Sequence, residues 1–427
     1  MSSSPGTVVK VGWVAGAAYA GSFRLDSATR GVLDGTTYTL AAELLTELPG
    51  VLNAKATSGR NGRYDAPTAG TLTVTLDDAN RTLDPTNEAG PFFGAIEARR
   101  PITLASRWVV GAYTVDVPAW FGYVEDIIGD YRIGSDRVTI TAVDLIGLLN
   151  FTVSDSASLR PAESCGDRLR YLVSLLGFDV PVSVVDAGRT LVAMELDGKN
   201  VLSLIRGIEL ADQGRFWVTT SGSWAYTSAL ADDAEPLRAT STPNYVLGEL
   251  PLAAAPVSSS LARYYNSVTG ARVGAPPLTI ADADGVARFG RREPSSITEL
   301  PLSDDTEVAD VLGVMLARAN NRTPMPKSAT VHMHAIAASP GGSIGSAMNA
   351  SYVTQTALTR TLAVVAMHRT GYPLDVTSVG IIDRITHDSS PARWTTTFDL
   401  SPIPAGIAPL ELDDGTLAVL DTARLGF

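Results

Sequence analysis

Four groups of residues have types and spacings that could do chemistry. Gly341-Gly342-Ser343-Ile344-Gly345 matches G-x-S-x-G, and Asp375 and His387 follow in the chain order of a nucleophile–acid–base triad. That chemistry needs the serine on a strained strand-to-helix turn above a parallel sheet. Here Ser339-Pro340 precedes and Ser346-Ala347-Met348-Asn349 follows, among β-type runs without intervening helices, so the pattern predicts a loop. His332 and His334 fall on one face if their segment is a strand, and i, i+2 histidines can hold zinc. No third ligand has telling spacing. Asp282-x-Asp284-Gly285 has the spacing at which a calcium loop begins, but the bidentate glutamate such a loop requires is missing, so a hairpin turn is expected. Phe216, Trp217, Trp224 and Tyr226 could form a stacking platform for a sugar, with Trp217 and Trp224 as its ligand aromatics; a hairpin core is the alternative. Cys165 sits on a helical apolar stripe and reads as a small buried hydrophobe. No phosphate-cradling or dinucleotide-binding glycine pattern occurs, so no catalytic residue, cofactor or metal is expected.

The elements that would position these residues are mostly strands. The stretch Phe121–Leu149 reads as strand, turn, strand and one-turn helix. Gly129-Asp130 and Gly134-Ser135-Asp136 carry turn signals, and Arg137–Val143 alternates with β-branched residues. Asp144 is placed to cap the turn Leu145–Leu149. Upstream, Leu72, Val74 and Leu76 alternate onto one face. They lead into Asp78-Ala79-Asn80-Arg81-Thr82-Leu83-Asp84-Pro85-Thr86-Asn87, a turn whose Asp, Asn and Pro suit local side-chain to backbone bonds. Thr57–Asp65 is a basic, turn-rich loop, and Trp108–Val117 is hairpin-like. Pro161–Gly177 and Asn200–Gly214 have helical periodicity, followed by a hairpin around Ser221-Gly222. Beyond 236, strands are expected at Tyr264–Gly270, Ala329–Ile336, Leu362–His368, Ser378–Thr386 and Trp394–Leu400. A helix is expected from Ser303-Asp304-Asp305 to Ala319, stopped by Pro324, with acids in the first turn where the helix dipole favours them.

With 427 residues the chain has room for two to four domains. Charged residues are 18% of it, against roughly 25% in an average soluble protein. A surface so poor in charge has more area to bury against partners. The net charge of −12 argues against a surface that grips phosphate backbones. A single cysteine cannot make an internal disulfide, so no oxidising compartment is implied. The apolar run Val11–Ala20 lacks a basic flank and is broken by Gly12 and Gly16, so it reads as a strand and not as a signal segment. No stretch approaches the ~20 apolar residues that span a bilayer.

An ordered set of short motifs carries a resemblance. Gly70-Thr71-Leu72-Thr73-Val74-Thr75-Leu76 comes first, then Leu83-Asp84-Pro85-x-Asn87 and Arg100-Pro101-Ile102. Phe121-Gly122-Tyr123-Val124 and Val138-Thr139-Ile140-Thr141-Ala142-x-Asp144 follow. The set resembles the N-terminal part of tailed-phage minor tail proteins of the tail-tip (baseplate) hub family. The helix-then-hairpin at 153–235 resembles that family's inserted domain. The run through Gly290, the helix, His387 and Trp394 resembles its second half.

The resemblance implies a mainly β fold: two tail-tube-like β-barrel domains, 1–152 and 236–400, separated by a smaller α/β domain, 153–235, with 401–427 as a C-terminal extension. It also implies a structural role at the virion tail tip, in a particle assembled in the host cytoplasm. A homotrimer would adapt a six-fold tube to a three-fold tip. Its partners would be the distal tail protein ring, the tape-measure protein and other minor tail or receptor-binding proteins, with DNA only in transit. The alternatives are a distal tail protein, a carbohydrate- or receptor-binding tip component, and a cell-wall hydrolase built on Ser343.

Overall fold

Alternating β-branched residues make the N-terminal third a sheet, and the same sheet recruits the C-terminal strands. The computed structural model describes residues 5–13, 45–62, 65–93, 96–110, 112–132, 135–154, 159–228, 245–246, 252–254, 257–258, 264–319, 325–338, 361–364 and 378–402. The N-terminal strands are β1 (Gly6–Val11), β2 (Thr46–Glu47), β3 (Val51–Gly59), β4 (Thr71–Asp77), β5 (Pro101–Val110), β6 (Tyr113–Arg132) and β7 (Ser135–Val143). They pair antiparallel in the order β3-β4-β7-β6-β5-β1-β2. Leu72, Val74 and Leu76 lie opposite Ala142, Ile140 and Val138, all of them buried. A one-residue slip would turn this whole set outward, so the register is fixed by burial.

The far edge of β3 does not end the sheet. It pairs antiparallel with the long strand Ser378–Ser390, which pairs with Arg393–Pro402 and, through it, with Ser328–His332 and Leu252–Ala254. The result is one 13-stranded sheet with a single short parallel pair, Tyr245–Val246 on Thr361–Val364. Where two barrel domains were expected, the described residues show the two halves joined along β3 and no ladder closing the sheet on itself. The chain is mainly β, with six helices among the described residues. Trp13, Trp108, Trp120, Trp394 and Phe398 share one core between the halves.

A second core gathers around the helices α1 (Leu145–Phe151), α2 (Cys165–Ser174) and α3 (Val201–Asp212). The stripe Leu169, Leu172 and Val173 meets Ile205, Ile208 and Ala211. Helix Asp305–Ala319 adds Val308, Val311 and Leu312. Residues 264–319, expected in the second β unit, therefore pack with the insert. Asp144 caps α1 as expected, accepting from its third residue, and Asp304 accepts from the second and third residues of helix Asp305–Ala319; Ser164 and Asn200, not singled out in the sequence, likewise accept from the third residues of α2 and α3.

Three local expectations are corrected. Gly129-Asp130 is not a turn; β6 runs straight through it, with Gly129 opposite Val138 and Asp130 opposite Arg137. Cross-strand pairing to β7 overrides the turn preference there. Ala281–Gly285 is not a hairpin turn; Asp282 sits at the N-cap position of helix Ala283–Phe289, whose Phe289 packs edge-on against Tyr264, centroids 5.5 Å apart. The strand at Ala329–Ile336 stops at His332, and Met333–Ala338 is helical, so His332 and His334 are not two positions of one strand face. The hydrolase residues Ser343 and Asp375, like Pro324 and the extension beyond Pro402, lie outside the described residues.

Gly122 marks the tightest approach in the hub of the sheet. A Cβ there would lie 2.3 Å from the Val143 carbonyl oxygen and 2.2 Å from the Trp120 ring. Gly122→Ala is expected to cost about 2–4 kcal/mol in urea unfolding, because backbone must move. Gly177→Ala, at φ +76° with nothing near its added methyl, should cost only about 1 kcal/mol.

Candidate functional site

Three distant segments meet at a buried, charged joint. Arg60 follows β3, Glu209 lies on α3, Arg215 opens the hairpin strand Arg215–Val218, and Asp383 lies in Ser378–Ser390; all four are buried. Arg60 Nη2 donates to Glu209 Oε1 at 2.7 Å and to the Phe216 carbonyl at 2.9 Å, while the Phe216 N–H donates to the same Glu209 oxygen at 2.6 Å. Arg215 Nη2 donates to Asp383 Oδ1 at 2.7 Å, and the other Asp383 oxygen accepts from the Ser401 hydroxyl. The Arg60 N–H donates to the Asp383 carbonyl at 2.9 Å. The register between Ser378–Ser390 and Arg393–Pro402 shifts between Ile382 and Arg384. That irregularity frees Asp383 from the ladder to turn into the joint.

Sequence reasoning placed Arg60 in a basic loop and missed the other three. The available signals were two acids, Glu209 and Asp212, in the mostly apolar helix α3, and Asp383 directly after the run Ile381-Ile382. Chemically the joint orients; it holds no nucleophile–base pair. Buried guanidinium–carboxylate pairs recover little more than their desolvation cost, but removing one partner strands the other.

The motif residues gather on the sheet side of this joint. Asp144 is fully buried, accepts from Gly147 N at 3.2 Å, and donates its own N–H to the Gly70 carbonyl at 2.9 Å. A Cβ on Gly70 would come within 2.5 Å of the Asp144 carboxylate and 2.8 Å of the Thr57 carbonyl, which explains glycine at that position. Burial pushes the Asp144 carboxyl up to about 7, against the backbone donors of Gly147, Gly70 and Ile146. Phe121 stacks edge-on against Tyr123 and receives the Gly222 turn of the insert. Val124 is buried beside them, and Pro101 opens β5, pairing with Tyr123.

The Asp-rich turn is held locally. Asp78 accepts from the Thr82 and Leu83 amides at 2.7 and 2.9 Å, Asp84 from Thr86 N at 2.8 Å, and Asn87 Nδ2 donates to the Arg81 carbonyl at 2.8 Å. Pro85 sits between them, continuing the turn. Gly290 ends helix Ala283–Phe289 at φ +71° and accepts from Asn266.

His387 and Trp394 lie together in the sheet core, ring centroids 5.9 Å apart, with His387 Nδ1 at 3.0 Å from Thr396 Oγ1. Burial pushes His387 down to about 3. His332, the last residue of its strand, and His334, in the helix that follows, have ring centroids 5.4 Å apart. Burial, then His334 and Arg393, lower His332. Among the described residues no three His, Cys, Asp or Glu side chains group to hold a metal ion. Trp224, Phe216 and Tyr226 are buried in the insert, and Trp217 keeps partial exposure on the opposite strand face, so Trp217 and Trp224 do not share a platform. Cys165 is buried, its thiol pushed up to about 12 by burial.

Exposed apolar side chains lie elsewhere. The β5–β6 tip carries Val109, Tyr113 and Val115, with Tyr113 76% exposed. Its base is braced by Arg107, which bonds both Asp116 and Glu47 at 2.7–2.8 Å. No described helix is long and apolar enough to cross a membrane.

This architecture is the fold of phage tail proteins. The 43 kDa tail protein of prophage MuSo2 from Shewanella oneidensis superposes with TM-score 0.51 at 14% identity, over 92% of this chain and 97% of that one. A tail protein from Neisseria meningitidis superposes with TM-score 0.55 at 11% identity, over 84% and 93%. No protein-family model matches the sequence, and no curated protein matches it.

Asp383→Ala is expected to cost about 3–5 kcal/mol in chemical unfolding by stranding Arg215. Asp144 gives a pH signature. Its folded value lies above the unfolded one, so the stability it contributes is complete below about pH 4 and is lost as pH rises to about 7. Asp144→Asn should remove that decline from a pH series of unfolding free energies.

Proposed function

We propose that the chain is a structural subunit of a phage-type tail, acting at the tail tip as a baseplate hub. One observation carries the reading: a tail-protein fold that spans nearly the whole length of its structural neighbours. The joined sheet supports it, since one polypeptide supplies two sets of strands around a common core. Three such chains would present six sets and mate with a six-membered distal tail ring. The tape-measure protein and receptor-binding or other minor tail proteins would occupy the remaining faces. The role is mechanical, closing the tube until the host surface is engaged and then lining the route for DNA. An excess of 12 negative charges favours a wall that DNA slides past. The low share of charge and the exposed apolar tip of β5–β6 suit a chain that functions in contact with others.

Electron microscopy of purified particles tests this. A three-fold ring of this chain at the tip is expected. A six-fold ring would make it a distal tail protein, and its absence from particles would overturn the reading altogether.

A further inference from the structure

The loop that follows β3 carries the chain's one Asn-Gly pair, Asn61-Gly62. Glycine has no Cβ to stop the preceding side chain from folding back onto its nitrogen. Asn61 is exposed, and its carboxamide oxygen accepts from Arg384 Nη1 at 2.5 Å. Asp399 holds that guanidinium in place, accepting from its Nε at 2.7 Å. A fixed cation on a carbonyl oxygen draws electrons from the carbon and stabilises the oxyanion that forms on attack. The Gly62 carbonyl accepts from the Asp65 N–H at 3.0 Å, but among the described residues nothing accepts from the Gly62 N–H. An activated carboxamide and an uncommitted backbone nitrogen therefore sit on adjacent residues.

We propose that Asn61 is a deamidation site that converts in the folded chain. The Gly62 nitrogen gives its proton to solvent hydroxide and attacks the Asn61 Cγ. The Cγ–Nδ2 bond breaks, ammonia leaves, and a five-membered succinimide remains. Water then opens either carbonyl of the ring, leaving aspartate or isoaspartate, and nothing is oxidised or reduced. Aspartate would set its new carboxylate against Arg384. Isoaspartate would add one backbone carbon directly after Arg60, whose side chain is buried on Glu209 and the Phe216 carbonyl. The modification therefore acts on the joint between insert and sheet. This inference concerns the chain's own chemistry and stands apart from the tail-tip reading.

Ageing the full-length protein in mildly alkaline buffer, followed by peptide mapping, tests it. The peptide holding Asn61 should gain one mass unit in the folded protein. Part of that product should resist an aspartate-specific protease, as isoaspartate does. Arg384→Gln should slow the conversion about threefold or more in the folded protein and leave it unchanged in urea. An Asn61 that stays intact in the folded wild type would overturn the proposal. So would a folded-state rate indifferent to Arg384→Gln, or a product without isoaspartate.

Discussion

Arg60–Glu209 and Arg215–Asp383 are the contacts on which the rest of the molecule turns. Each joins the α/β insert to a different part of the sheet, Arg60 at the end of β3 and Asp383 on the strand paired with it. The place where the two chain halves merge is thus also the place where the insert is fastened. An apolar contact alone would tolerate rotation. The Phe121–Gly222 and Tyr123–Phe178 contacts nearby are of that kind. Paired guanidiniums and carboxylates with further bonds to the Phe216 backbone permit one orientation only. The two pairs therefore fix the angle between insert and sheet where the chain halves merge.

Most local structure was legible because it is set by neighbours in sequence. The alternation of Leu72, Val74 and Leu76, the caps Asp144 and Asp304, and the self-bonded turn from Asp78 to Asn87 needed no tertiary information. Even the glycines of the ordered motifs proved readable after the fact. Gly70 and Gly122 are small because Asp144, Trp120 and the Val143 carbonyl come too close for a side chain.

What stayed hidden depended on partners far along the chain. Gly129-Asp130 looks like a turn until β7 lies beside it. His334 looks like a strand residue until Met333 buries itself and starts a helix. The pairing of β3 with Ser378–Ser390 joins residues more than three hundred positions apart, and no periodicity encodes it. The joint was missed for the same reason: an acid in a mostly apolar helix signals that it has a partner but does not say which one. Pattern reading also separated residues 264–319 from the insert, although Val308, Val311 and Leu312 complete its core.

Several polar groups do their work inside the fold. Among the described residues, three of the strongly perturbed groups are interior and structural. Asp144 caps a helix, His387 packs on Trp394, and Tyr226 is bonded to Asp212. Here the charge outside the joint braces shape: Arg107 holds Asp116 below the usual carboxylate range and ties it to Glu47 across β1, β2 and β6. That bracing stiffens a hairpin whose tip is apolar and exposed.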